Sequence, residues 1–121
     1  MKKGWIGVDL DGTLAQYDKW RGETHIGAPI PLMVERVRKW LAEGQDVRIF
    51  TARVAEAENN LDGTLHDAAI VILAIEEWCE KHIGQILPIT NKKDFSMIQL
   101  WDDRAVQIIT NTGLRADRKR D

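Results

Sequence analysis

Trp5-Ile6-Gly7-Val8-Asp9-Leu10-Asp11-Gly12-Thr13 is the stretch that decides how this chain folds. Its first four residues are too few for a helix and show no polar alternation, which predicts a short buried strand. Gly12 and Thr13 end it with turn chemistry. Asp9 and Asp11 lie two apart on extended backbone, so both side chains leave one face at the strand's carboxyl end. Two carboxylates held that close do not both ionise easily, which suits one to act as nucleophile or base and the other as proton donor. A bivalent cation would relieve the remaining repulsion. D-x-D-G also occurs in EF-hand calcium loops, but the twelfth position counted from Asp9 is Trp20 instead of a bidentate Glu. An apolar strand also precedes it where a helix should be.

The bulk properties fit one compact domain: 121 residues, 44% hydrophobic, with five Trp, two Phe and one Tyr. A formal charge of -2 demands no nucleic-acid partner. The single cysteine, Cys79, has no partner for an intramolecular disulfide and reads as a small core residue, so a reducing cytoplasm is the expected compartment. Lys2-Lys3 leads directly into the strand without a long apolar signal region, and no window reaches the ~18 apolar residues of a membrane span.

Beyond the first strand, residues 14–28 read as a loop or small hairpin flap. Pro31 starts a helix with Met33, Val34, Val37, Trp40 and Leu41 on one face, and Gly44 caps it. Asp46–Thr51 is the second strand and 54–63 a polar loop. Thr64, with Asp67 three residues on, begins a second helix that uses Leu65, Ala68, Ala69, Ile72, Ile75 and Cys79 and ends at Gly84. Ile86–Ile89 is the third strand, placed at a sheet edge by Pro88. Met97–Asp102 and Ala105–Ile109 are fourth and fifth strand candidates, and 114–121 a charged, frayed tail after a single domain at 1–113. Strand–helix–strand–helix–strand is the pattern of an α/β fold with a parallel sheet covered on both faces. Leu61-Asp62-Gly63-Thr64-Leu65 repeats Leu10 to Leu14 letter for letter, but without a strand or paired acid before it, and reads as a turn.

Further polar residues stand at the ends of the later strands: Thr51-Ala52-Arg53 after the second, Asn91-Lys92-Lys93-Asp94 after the third and Asp102-Asp103 after the fourth. In an open parallel sheet, ligands bind beyond the carboxyl ends of the strands, and every one of these groups falls at that edge.

With these four segments in order, the chain resembles the haloacid dehalogenase-like phosphohydrolase superfamily across essentially the whole domain. The motifs are Val8-Asp9-Leu10-Asp11-Gly12-Thr13, Ile49-Phe50-Thr51, Lys93 and Leu100-Trp101-Asp102-Asp103. The resemblance implies a three-layer Rossmann-like sandwich of five mainly parallel strands, ordered 3-2-1-4-5, so that Asp9 and Asp102 can share one cation. It implies a Mg²⁺-dependent phosphomonoester hydrolase in which Asp9 forms an aspartyl phosphate and Asp11 is general acid and base. Mg²⁺ would be held by the Asp9 carboxylate, the Asp11 carbonyl and Asp102, with Asp103 binding through water or orienting these ligands, and either member of the last pair open as the direct ligand. Thr51, backbone N–H groups around Leu10, Asp11 and Ala52, and Lys93 (or Lys92) would hold the phosphoryl oxygens. Members that cleave carbon–halogen bonds lack the second acid, so Asp11 favours phosphoryl hydrolysis.

Neither gap where the family inserts a cap has room for one, which implies an open site. Such sites suit bulky substrates, or small metabolites in a homo-oligomer whose neighbour supplies a lid. Arg53 and the run Asp102–Gln107 locally resemble the phosphatase half of phage polynucleotide kinase-phosphatases, which implies a leaving-group contact for Arg53. The expected partner is a phosphorylated small molecule or a nucleic-acid end. Tyr17, Lys19, Trp20 and Arg21 combine rings and positive charge as single-strand binders do, but the favoured reading is a flap packed by its own aromatics. The reading from another class is a non-catalytic module that binds phosphorylated ligands. One feature fits poorly: about eight residues join the third and fourth strands, fewer than a parallel crossover normally needs.

Overall fold

In the computed structural model the described residues are 3–54 and 65–121, with side chains of the second segment described from Ala68 onward. The elements run β1 (Trp5–Val8), α1 (Pro31–Ala42), β2 (Asp46–Phe50), α2 (Leu65–His82), β3 (Ile89–Thr90) and β4 (Met97–Trp101). They form an α/β fold around a four-stranded sheet in the order β3-β2-β1-β4, every neighbouring pair parallel. β1 is therefore central, which accounts for its unbroken apolar run: all four residues are buried.

Alternation along the strands divides the sheet into two faces. Ile6 and Val8 of β1 and Val47 and Ile49 of β2 face a core shared with Met33, Val34 and Val37 of α1 and Val71, Ile75 and Cys79 of α2. Both helices thus pack on one face. Burial there pushes the Cys79 thiol up to about 11, as befits a packing residue with no reactive role. α1 starts at Pro31, whose fixed φ suits the first helical position, and Gly44 (φ 80) follows it in the left-handed region.

The opposite face carries Trp5, Arg48 and Phe50 and no helix among the described residues. Trp5 is 1% exposed, yet stands outside the main core. The Arg48 guanidinium lies 4.7 Å from its ring centroid, Phe50 stacks at 6.4 Å, and its indole N–H donates to Asp94 Oδ1 at 2.8 Å. Asp94 belongs to residues 91–96, which cross this face from the carboxyl end of β3 to the amino end of β4. That connection is too short to contain a helix, so among the described residues the sheet carries helices on one side, where a three-layer sandwich was expected.

The fifth strand is also corrected. Only residues 102–104 separate the end of β4 from Ala105, and a parallel neighbour needs a crossover of a dozen or more. Instead, 107–109 pair with 114–116: Ile109 N–H donates to Leu114 O and Ala116 N–H to Gln107 O, both at 2.8 Å. The start of the expected frayed tail is therefore one arm of a turn built around Asn111 (φ 64) and Gly113 (φ 75). β3 is shorter and later than Ile86–Ile89, because Pro88 has no N–H to give the ladder; its carbonyl accepts from Ile49 N–H at 2.8 Å. The buried face of α2 is rotated toward Val71 and Trp78, and Ala69 is exposed. The expected loop from 55 onward, the Leu61–Leu65 repeat, and the Thr64 cap with Asp67 fall outside the described residues or side chains. No described helix is long and apolar enough to cross a membrane.

Candidate active site

The register carries Asp9 to Asp102. Val8 pairs with Trp101, and the Asp9 N–H continues the ladder by donating to Trp101 O at 2.9 Å. The next residues on the two strands are the acids. Asp9, Asp102 and Asp103 each offer a carboxylate oxygen, all within 4.8 Å of one another. Asp103 completes the group because the chain turns at once after β4, where the Asp102 carboxylate accepts the Arg104 N–H at 2.7 Å. The Thr13 hydroxyl lies 3.5 Å from both Asp9 and Asp103 oxygens.

Gly12 makes this approach possible. Its φ is +88, and a Cβ there would meet Asp103 Oδ2 at 2.5 Å. Both the left-handed conformation and the space require glycine. Gly12→Ala is expected to lower stability by about 1–3 kcal/mol and to displace Asp103 from the cluster. Urea unfolding of the purified variant, set beside its affinity for Mg²⁺, measures both effects.

Half-burial, a hydrogen bond that protonated Asp9 donates to the Asp103 carboxylate, and the charges of Asp102 and Asp103 raise the Asp9 carboxyl to about 7, against a smaller opposing effect of the Leu10 N–H. The repulsion expected between Asp9 and Asp11 is thus transferred to the β4 acids. Asp11 has another partner: Arg53 grips it with two parallel bonds, Nε to Oδ2 at 2.7 Å and Nη2 to Oδ1 at 2.9 Å. The Asp11 carboxylate accordingly stands apart from the three-acid cluster, and the ligand expected of this residue is its backbone carbonyl.

Arg53 itself is 6% exposed. Besides Asp11 it donates to the flap carbonyls of His25 (2.7 Å), Glu23 (3.2 Å) and Gly22 (3.5 Å), which occupies all five of its N–H groups. Its guanidinium also lies 5.0 Å from the Trp20 ring centroid. The residue expected to touch a leaving group is, in this arrangement, a pin between flap and strand end. The flap is closed at its base by Ala15 bridging Pro29 and by Gln16 N–H donating to Ala28 O at 2.8 Å.

Thr51 is 2% exposed at the end of β2, its hydroxyl accepting the Arg53 backbone N–H at 3.2 Å. Ala52 opens a helical turn beside it. Both line, with Asp9 and Asp11, a cavity of about 560 Å³. Leu10 is fully buried and holds the turn by accepting the N–H groups of Leu14 at 3.0 Å and Ala15 at 2.8 Å. Lys93 and Lys92 are exposed and do not line the cavity, whereas Asn91 does. The arrangement therefore does not bring the lysine expected on the phosphoryl group to the cavity. Sequence reasoning missed Asn91, Phe50 and Arg104 as lining residues; adjacency to Lys92, Thr51 and Asp103 was the available signal.

No protein-family model and no curated protein matches this chain. Among solved structures it is similar to a conserved protein coded by a locus of Bacteroides thetaiotaomicron, with 24% sequence identity and a TM-score of 0.53. The similarity covers 87% of this chain and 79% of that one, and it shows a shared fold.

Proposed function

We propose that this chain is a haloacid dehalogenase-like phosphohydrolase that cleaves phosphomonoesters with Mg²⁺ and Asp9 as nucleophile. The observation that carries this reading is the gathering of the Asp9, Asp102 and Asp103 carboxylates within 4.8 Å at one strand edge, with Asp11 two residues from Asp9. The donor set is all oxygen and anionic, which fits a hard divalent cation. A bound Mg²⁺ would offset the repulsion among these acids and the charge that builds on the phosphoryl oxygens.

An Asp9 oxygen attacks phosphorus as the bond from phosphorus to the ester oxygen breaks. Asp11 gives that oxygen a proton and later takes one from the water that hydrolyses the aspartyl phosphate. Each Asp11 oxygen keeps a second lone pair for that proton while Arg53 holds the carboxylate, so Arg53 is a positioning residue. Thr51 and the backbone N–H groups near Leu10 and Ala52 supply donors to the phosphoryl oxygens.

The test is release of inorganic phosphate from an aryl phosphate. Turnover is expected with Mg²⁺, lost with EDTA and restored by excess Mg²⁺. A protein that releases no phosphate from any of a broad panel of phosphomonoesters overturns the reading and leaves a module that binds phosphorylated ligands.

A further inference from the structure

The flap sets two aromatic rings at the mouth of the cavity. Tyr17 is 43% and Trp20 52% exposed, and both line it. Trp20 is held in place, because its ring is backed by the Arg53 guanidinium at 5.0 Å. That guanidinium is itself fixed by Asp11 and by the His25 carbonyl, at 2.7 Å each. A large ring that is immobilised yet half in water forgoes the stabilisation that burial brings, and a planar ligand would supply it.

Direction is the second consideration. The leaving oxygen must come within hydrogen-bond reach of Asp11 to receive its proton. One guanidinium, in contact with both, separates Asp11 from Trp20. Whatever is esterified to the phosphate therefore runs from Asp11 along the Trp20 side of the cavity. About 560 Å³ accommodates a small organic molecule of several rings.

Charge decides between a mononucleotide and a polynucleotide. A strand end would need a positively charged groove following its backbone. Here four of the six charged lining residues are the acids Asp9, Asp11, Asp102 and Asp103, Arg53 is fully engaged, Arg104 is a single cation beside the acids, and Arg21 on the flap is paired with Asp18 at 2.6 Å.

We propose that the substrates are nucleoside monophosphates, with the base stacked on Trp20 beside Tyr17 and Trp20 determining specificity. This rests on the phosphohydrolase reading. The reaction exchanges the ester bond at phosphorus for a bond to the oxygen of water and yields nucleoside and inorganic phosphate.

The experiment compares 5′-nucleoside monophosphates, ribose 5-phosphate and a 3′-phosphorylated oligonucleotide on wild type, Trp20→Ala and Trp20→Phe, all with Mg²⁺. The nucleoside monophosphates are expected to exceed ribose 5-phosphate in kcat/KM by about 10- to 100-fold. Trp20→Ala should erase most of that ratio through KM, and Trp20→Phe should keep most of it. Equal use of ribose 5-phosphate, an equal loss on every substrate in Trp20→Ala, or preference for the oligonucleotide overturns the proposal and leaves the phosphohydrolase intact. If no substrate turns over, calorimetric titration of wild type with AMP and Mg²⁺ still decides. Binding that is lost in Trp20→Ala supports the base platform, and no binding overturns it.

Discussion

Asp9→Asn is expected to lower phosphate release by on the order of 10⁵- to 10⁶-fold while making the metal-free protein more stable above pH 7. The first effect follows from chemistry: an amide cannot form the acyl phosphate, and losing a nucleophile removes the covalent route altogether. The second follows from the surroundings of the residue. Asp9 is half-buried among Asp102 and Asp103, and its carboxyl is raised to about 7. Ionising it in the metal-free fold therefore costs free energy, and Asn carries no charge to desolvate. After allowance for solvent screening of a half-exposed group, the gain is roughly 1–2 kcal/mol. Phosphate release and thermal unfolding at pH 8 in EDTA measure the two effects. A variant that keeps more than about a tenth of wild-type turnover would remove Asp9 from the role of nucleophile.

The stability of the metal-free wild type is expected to fall between pH 5 and pH 7.5, and Mg²⁺ is expected to reverse the fall. Asp9 titrates at 3.8 in its ordinary state and at about 7 in the fold. Its contribution to stability is full below 3.8 and is lost as pH rises through 7, because the folded protein holds the extra proton between those values. Asp18, Asp94 and Asp117 behave oppositely. Arg21, the Trp5 indole and Arg115, respectively, lower them, so their contributions fade only as pH falls below 4. The window from 5 to 7.5 isolates Asp9. Mg²⁺ at a hundred times its dissociation constant would add about 2.7 kcal/mol, or roughly 10 °C in Tm at pH 8, and distinctly less at pH 5.5 where Asp9 holds its proton. An equal Mg²⁺ shift at both pH values, or the same shift in Asp9→Asn, would remove Asp9 from the metal site.

The acids were legible in the sequence because strand ends are local features. Apolar runs stop at Val8 and Trp101, and Asp9 and Asp102 follow at once. Placing them side by side needed the strand order that the family resemblance implies, with which the uninterrupted apolar run of β1 agrees. The grip of Arg53 on Asp11 was not legible, since it joins positions 42 apart through a flap whose carbonyls carry no sequence signature. Any residue at 22, 23 or 25 presents the same backbone oxygen. The fifth strand failed for a related reason. Val106, Ile108 and Ile109 favour extended backbone, but propensity supplies no partner, and the three residues after Trp101 cannot carry the chain to a parallel position. The same arithmetic applied to 91–96 accounts for the missing layer.

The flap has a consequence for how such a protein could change. Its base is stitched by Ala15, Gln16, Ala28 and Pro29 and by the Trp78 indole, which donates to the Gly27 carbonyl at 2.9 Å, while its tip meets the cavity through Arg53, which binds mostly backbone oxygens. A replacement tip of similar length could be held by the same guanidinium whatever its side chains. On the proposed function, recognition and bond cleavage are thereby separable units of heredity, and grafted tips would retarget the protein without disturbing the acids at the strand ends.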